Sequence, residues 1–123
     1  ATGGVGVPRH ARLGDRLGFG LPRGYDECFV VDGTGMRRHA RVTHPSGRSL
    51  EVWSDQPAVQ FYTGAFLSGS DGADARTHDP FAALCLEPEH IPDAPNLDWA
   101  PSAVLRPGER YVHQLEFRLD WPD

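Results

Sequence analysis

RRHARVTHPSGRSLEVWSD, residues 37–55, decides the fold class. Ala40 and Val42 share one parity before the Pro45-Ser46-Gly47 punctuation, and Leu50 and Val52 share one after it. Side chains alternate between the two faces of a strand, so each half carries one apolar face. Proline presets φ for a turn and glycine reaches positive φ at no steric cost, which makes the central residues a turn. The stretch predicts a β-hairpin.

Outward from it the same period returns. In VQFYTG (59–64), Val59 and Phe61 share one face and Gln60 and Tyr62 the other. In YVHQLEFRL (111–119), Tyr111, His113, Leu115, Phe117 and Leu119 alternate with polar or smaller residues, the signature of a half-buried strand. Arg106-Pro107-Gly108-Glu109 reads as a tight turn joining a strand SAVL (102–105) to this last one. FAALCL (81–86) is a short apolar run that suits a buried strand, ending at Glu87 with Pro88 as its stop. SGSDGADARTHD (68–79) and EHIPDAPNLDWAPS (89–102) read as polar, breaker-rich loops. No segment holds a helical period. The expectation is an all-β chain, an antiparallel β-sandwich of about six or seven strands.

Residues 1–24 carry many glycines and prolines without a period, so 1–21 are expected to be irregular. Their GGVGVP string lacks the Lys-Ser/Thr ending of a phosphate loop. With 123 residues the chain is one domain by length. A net charge of −5 argues against a nucleic-acid partner, which would demand a basic patch. The apolar runs fall far short of the ~20 residues of a membrane-spanning helix, so no membrane partner is expected. Cys28 and Cys85 have no zinc spacing and read as two buried free thiols of a cytoplasmic protein. His10, His39, His44, His78, His90 and His113 are scattered without metal-ligand spacing, so neither a metal nor another cofactor is expected. Trp53, Trp99 and Trp121 read as core or rim residues.

Three polar residues stand beside aromatic or apolar neighbours near expected strand ends: Asp26 in GYDECF, Gln60 and Glu87. Each also has a structural reading. Asp26 can cap a turn, Gln60 can sit on a strand surface, and Glu87 can be solvated at a loop mouth. A strand end holds a side chain rigidly while leaving it open to a ligand, which suits Glu87 to general acid–base work. His90, three residues later, reads as structural.

Four separated motifs carry a resemblance. GYDECF (24–29), SGRSLEVWSDQPAVQFYTGAFL (46–67), CLEPEHIPDAPN (85–96) and SAVLRPGERYVHQLEFRL (102–119), in this order and spacing, resemble the C-terminal part of the aldose 1-epimerase, or galactose mutarotase, family. The resemblance covers roughly residues 22–119. It implies that the chain is a single partial domain, the C-terminal portion of a mutarotase-like β-supersandwich. It implies interconversion of the α and β anomers of aldohexoses such as galactose or glucose. In that family a glutamate of the C-L-E motif takes the proton of the C1 hydroxyl and a histidine protonates the ring oxygen. Carried over, Glu87 matches the base, Asp26 the carboxylate that binds sugar hydroxyls, and Gln60 a sugar-binding amide.

The family's acid histidine and a second sugar-binding histidine lie in N-terminal motifs, one an Asn-His segment before Tyr-Phe-Asn-Leu. No such segment occurs in this sequence, and none of its six histidines matches that place. Glu27 and Cys28 stand where histidine and asparagine are common, and Pro88 and Glu89 where threonine and glutamine are common. The expectation is a chain that carries the base but lacks the acid, and that pairs with an N-terminal half or self-associates. The alternative is a non-catalytic carbohydrate-binding module or an inactive fragment.

Overall fold

A computed structural model describes residues 24–67, 70–71 and 77–122. The expectations for residues 1–21 and for GGVGVP lie outside these residues. The order is β1 (Asp26–Val30), β2 (Arg37–Thr43), β3 (Ser49–Ser54), β4 (Ala58–Tyr62), β5 (Ser70–Asp71), β6 (Thr77–His78), β7 (Cys85–Glu89), a 3-10 turn (Ala94–Asn96) and β8 (Leu115–Asp120). Two three-stranded sheets, β1-β4-β7 and β2-β3-β8, and a two-stranded ladder, β5-β6, account for all of them. This is the antiparallel all-β class that the sequence predicts, consistent with a β-sandwich. The chain divides into two units, one of Ala1–Asp26 with Tyr62–Leu84 and one of Glu27–Phe61 with Cys85–Asp123.

The hairpin forms as expected. Ala40 faces Val52 and Val42 faces Leu50, so the shared parity read in the sequence becomes cross-strand contact. Val52 is fully buried. The turn closes through Gly47 N–H to His44 O at 2.9 Å and His44 N–H to Arg48 O at 2.9 Å. Gly47 has φ +88°, and a Cβ there would stand 2.9 Å from Pro122 Cγ, so both conformation and space require glycine. On the solvent side of β3, Arg118 of β8 lies 4.0 Å over the Trp53 ring. The Trp53 indole N–H donates to Glu51 at 2.9 Å, and Arg38 holds the other Glu51 oxygen at 2.8 Å. Trp53 is thus a packed rim residue, whereas Trp99 and Trp121 are exposed.

The last strand departs from expectation in two ways. It begins at Leu115 rather than Tyr111, because its partner β3 ends at Ser54, the residue paired with Leu115. Beyond that point one backbone bond, Asp55 N–H to Gln114 O at 3.3 Å, is joined by side chains: Gln114 N–H donates to Asp55 Oδ1 at 3.1 Å and the Ser54 hydroxyl to Gln114 O at 3.0 Å. The strand is also not half-buried. Leu115, Phe117 and Leu119 share a face and all three are exposed, although Ser54 and Val52, the β3 partners of Leu115 and Phe117, are buried. Ser102–Leu105 forms no strand, so no hairpin joins it to β8, although the Arg106–Glu109 turn exists, with Glu109 N–H donating to Arg106 O at 3.0 Å.

FAALCL is likewise corrected. The strand starts at Cys85, and Phe81 is exposed in a left-handed turn at φ +67°. Pro88 does not stop the strand, which runs on to Glu89. β7 is an edge of its sheet, where a residue without an N–H is tolerated. The loop 68–79 carries the short β5-β6 ladder rather than loop alone. Cys28 is half-buried and Cys85 exposed, so the thiols are free as expected but Cys85 is not buried, lying at the start of an edge strand.

The core of the second unit is a small cluster of Ala58, Ile91 and Ala94, with Cys28, Leu97 and Ala100 against it. Ile91 and Ala94 anchor the segment that leaves β7, and Ala94 N–H closes on Ile91 O at 3.0 Å. In the first unit Tyr25 and Thr63 bury a reciprocal pair: Tyr25 N–H donates to the Thr63 hydroxyl at 2.9 Å, and that hydroxyl donates to Tyr25 O at 3.2 Å.

Candidate active site

Gln60 sits at the middle of β4, the central strand of its sheet, and Glu87 at the middle of the neighbouring edge strand β7. Glu87 is exposed and Gln60 half-buried. The sequence placed Glu87 at a strand end. The ladder instead passes through it, so backbone pairing fixes it on both sides.

Three observations set these side chains on one face. Val31 N–H donates to Pro57 O at 2.9 Å and Thr63 N–H to Tyr25 O at 3.0 Å, bonds of one antiparallel register that puts Cys28 opposite Gln60. Residues directly opposite in an antiparallel pair share a face. Cys28 packs against Ala58 and Ile91, and Glu89, whose charge acts on the Cys28 thiol, stands two residues before Ile91, so Glu89 lies on that face as well. Glu87 is two residues before Glu89 in the same strand and therefore points the same way. Gln60, Cys28, Glu87 and Glu89 thus share one face of the β1-β4-β7 sheet.

Asp26 is the first residue of β1 and the last of its stretch in the other unit, where it is exposed beside the Tyr25–Thr63 pair. His90 turns elsewhere. Its ring tilts against Tyr111 with centroids 6.1 Å apart, and it lines a groove that includes neither Gln60 nor Glu87.

The electrostatics of the shared face centre on Cys28. Burial pushes its thiol up, and the neighbouring Glu89 carboxylate adds to this, to about 11. It is a held, protonated donor rather than a nucleophile at neutral pH. Sequence reasoning passed over Cys28 and Glu89 as site residues. The alternation of Glu87 and Glu89 in CLEPE was the available signal for the second of them. Among the described residues no cluster of histidine, cysteine or carboxylate side chains has the arrangement of a metal site.

Chemically, the face offers an exposed carboxylate able to accept a proton, an amide that both donates and accepts, and a second, half-buried carboxylate. That set suits a ligand rich in hydroxyls. A family model described as aldose 1-epimerase matches residues 3–118. The chain belongs to the aldose 1-epimerase family. Galactose mutarotase of Mus musculus is 43% identical over 99 residues, covering 78% of this chain and 29% of that protein. Galactose mutarotase of Bos taurus is 43% identical over 110 residues, covering 87% of this chain and 32% of that protein. Aldose 1-epimerase of Escherichia coli (strain K12) is 36% identical over 102 residues, covering 79% of this chain and 30% of that protein. The chain therefore spans about a third of the length of the curated relatives it matches. Among the described residues no helix is long and apolar enough to cross a membrane.

Proposed function

We propose that this chain supplies the general base and part of the sugar-binding surface for aldose 1-epimerisation of an aldohexose such as galactose or glucose. The observation that carries this reading is the common face of Gln60 and Glu87, with Glu87 open to solvent at mid-strand. Glu87 accepts the proton of the C1 hydroxyl as the bond between C1 and the ring oxygen breaks. An acid delivers a proton to the ring oxygen, leaving an open-chain aldehyde. Rotation about C1–C2 exposes the other carbonyl face, and the steps run backwards to give the other anomer. The proton count closes over the cycle, and no redox partner is required.

Gln60 binds a ring hydroxyl, which keeps C1 within reach of Glu87, and the family resemblance gives Asp26 a sugar hydroxyl as its ligand. The acid comes from polypeptide outside these 123 residues, either elsewhere in a longer protein or on a partner chain, because no histidine here matches the family's acid position. The working assembly is accordingly this chain with an N-terminal family segment, in the same polypeptide or on a partner chain. Its two free thiols, one of them exposed, suit a cytoplasmic location.

Polarimetry of freshly dissolved α-D-galactose tests the reading. With an N-terminal family segment joined to supply the acid, faster mutarotation that depends on Glu87 supports it, and equal catalysed rates for the parent and Glu87→Gln overturn the assignment of the base. Calorimetric galactose binding that survives Glu87→Gln, with no anomerisation in either form, would instead favour a binding module.

A further inference from the structure

The segments that hold Gln60 and Glu87 also border a second feature. Gln56 and His90 line a groove of about 550 Å³ whose walls include Asp55, Arg110, Tyr111 and Val112. Its volume lies in the range of small-molecule sites, roughly 300–1,000 Å³. Gln56 precedes Gln60 by four residues, a path of ~13 Å in an extended chain, so the groove is separate from the Glu87 face.

Two residues of this groove each carry a buried polar atom that has no hydrogen-bond partner among the described residues. Gln56 is only 4% exposed; its amide N–H donates to the Tyr111 hydroxyl at 3.2 Å, while its Oε1 meets no donor. His90 Nδ1 is buried and unpartnered as well. Buried polar atoms are paired in the great majority of cases, so two orphans lining one groove point to a ligand that pairs them.

Charge selects the class of ligand. Arg37 lines the groove, but its guanidinium is committed to the carbonyls of Val31, Asp32, Gly35 and Gln56 at 2.8–2.9 Å. Its positive charge and that of Arg110 oppose a cation. The Asp55 carboxylate and the Gln56 carbonyl oxygen oppose an anion. A neutral molecule with several hydroxyls meets every demand: one hydroxyl donates to Gln56 Oε1, another pairs with His90 Nδ1 in either tautomer, and a C–H face packs on Tyr111 and Val112. Those two side chains are 55% and 57% exposed, so this wall is open to a ligand.

We propose that the Gln56–His90 groove binds a neutral polyhydroxylated small molecule at a site distinct from Glu87. The probe is myo-inositol, a polyol without an anomeric carbon, titrated into the ¹⁵N-labelled chain and followed by NMR. Saturable shifts are expected at the Gln56, His90 and Tyr111 amides and at the His90 ring nitrogens. Gln56→Leu should weaken them by about tenfold or more, as expected for loss of a hydrogen bond to a buried carbonyl. Val112→Glu, a surface change that leaves the core alone, should weaken them too. Shifts confined to Gln60 and Glu87, shifts at the groove that survive both variants, or no saturable shift at Gln56 and His90 would overturn the proposal. A parallel galactose titration reads Gln60 and Glu87 separately, so either site can fail without the other.

Discussion

The Cys28 thiol on β1 stands on the same sheet face as the Glu89 carboxylate on β7, whose charge adds to burial in holding the thiol's proton. Burial and that carboxylate raise the thiol from its ordinary 9.0 to about 11. Alkylation resolved by mass spectrometry at pH 8 should therefore modify exposed Cys85 well before Cys28. Glu89→Gln removes the charge that holds the proton, so Cys28 should titrate lower and react faster. The same shift acts on stability. Between pH 9 and about 11 the unfolded thiol ionises while the folded one does not, so stability present below this window falls as pH rises through it. Cys28→Ala should flatten that fall in denaturant midpoints, and an unchanged slope would contradict the raised Cys28 thiol.

Arg37 binds four backbone carbonyls, those of Val31, Asp32, Gly35 and Gln56, which pins the 31–36 loop to the start of β4. An ammonium keeps the charge but lacks the planar fork that reaches all four. Arg37→Lys should cost about 1–3 kcal/mol in chemical denaturation and speed hydrogen exchange in residues 31–36. Wild-type stability in the variant would show the network to be incidental.

Thr63 is the buried partner of Tyr25, the residue before Asp26. Thr63→Val keeps the shape and removes the hydroxyl, so Tyr25 N–H loses this acceptor. The expected loss is about 1–3 kcal/mol by denaturant titration. Thr63→Ser keeps the hydroxyl and should recover most of it.

The hairpin was fully legible in residues 37–55, because parity and turn chemistry are local and the register Ala40–Val52 and Val42–Leu50 follows from them. The C-terminal strand was legible in kind but not in extent. Its start depends on where β3 ends, a fact written in a different part of the chain. FAALCL misled because apolarity reports a preference for burial rather than pairing, and Phe81 takes a left-handed turn instead. Pro88 misled because its tolerance depends on β7 lying at a sheet edge, which strand order alone decides. The motifs named Asp26, Gln60 and Glu87, but the common face of Gln60 and Glu87 needed the cross-strand register. Cys28 and Glu89 emerged only with it.

The most direct test of the central claim is the rate of galactose mutarotation by residues 24–122 joined to the N-terminal two-thirds of the Escherichia coli relative, with and without Glu87→Gln. Polarimetry should show catalysis in the joined protein and a fall of about 10²-fold or more in the variant, the usual worth of a positioned base. A Glu87→Gln protein that is folded and as fast as its parent would contradict the assignment of Glu87 as the base.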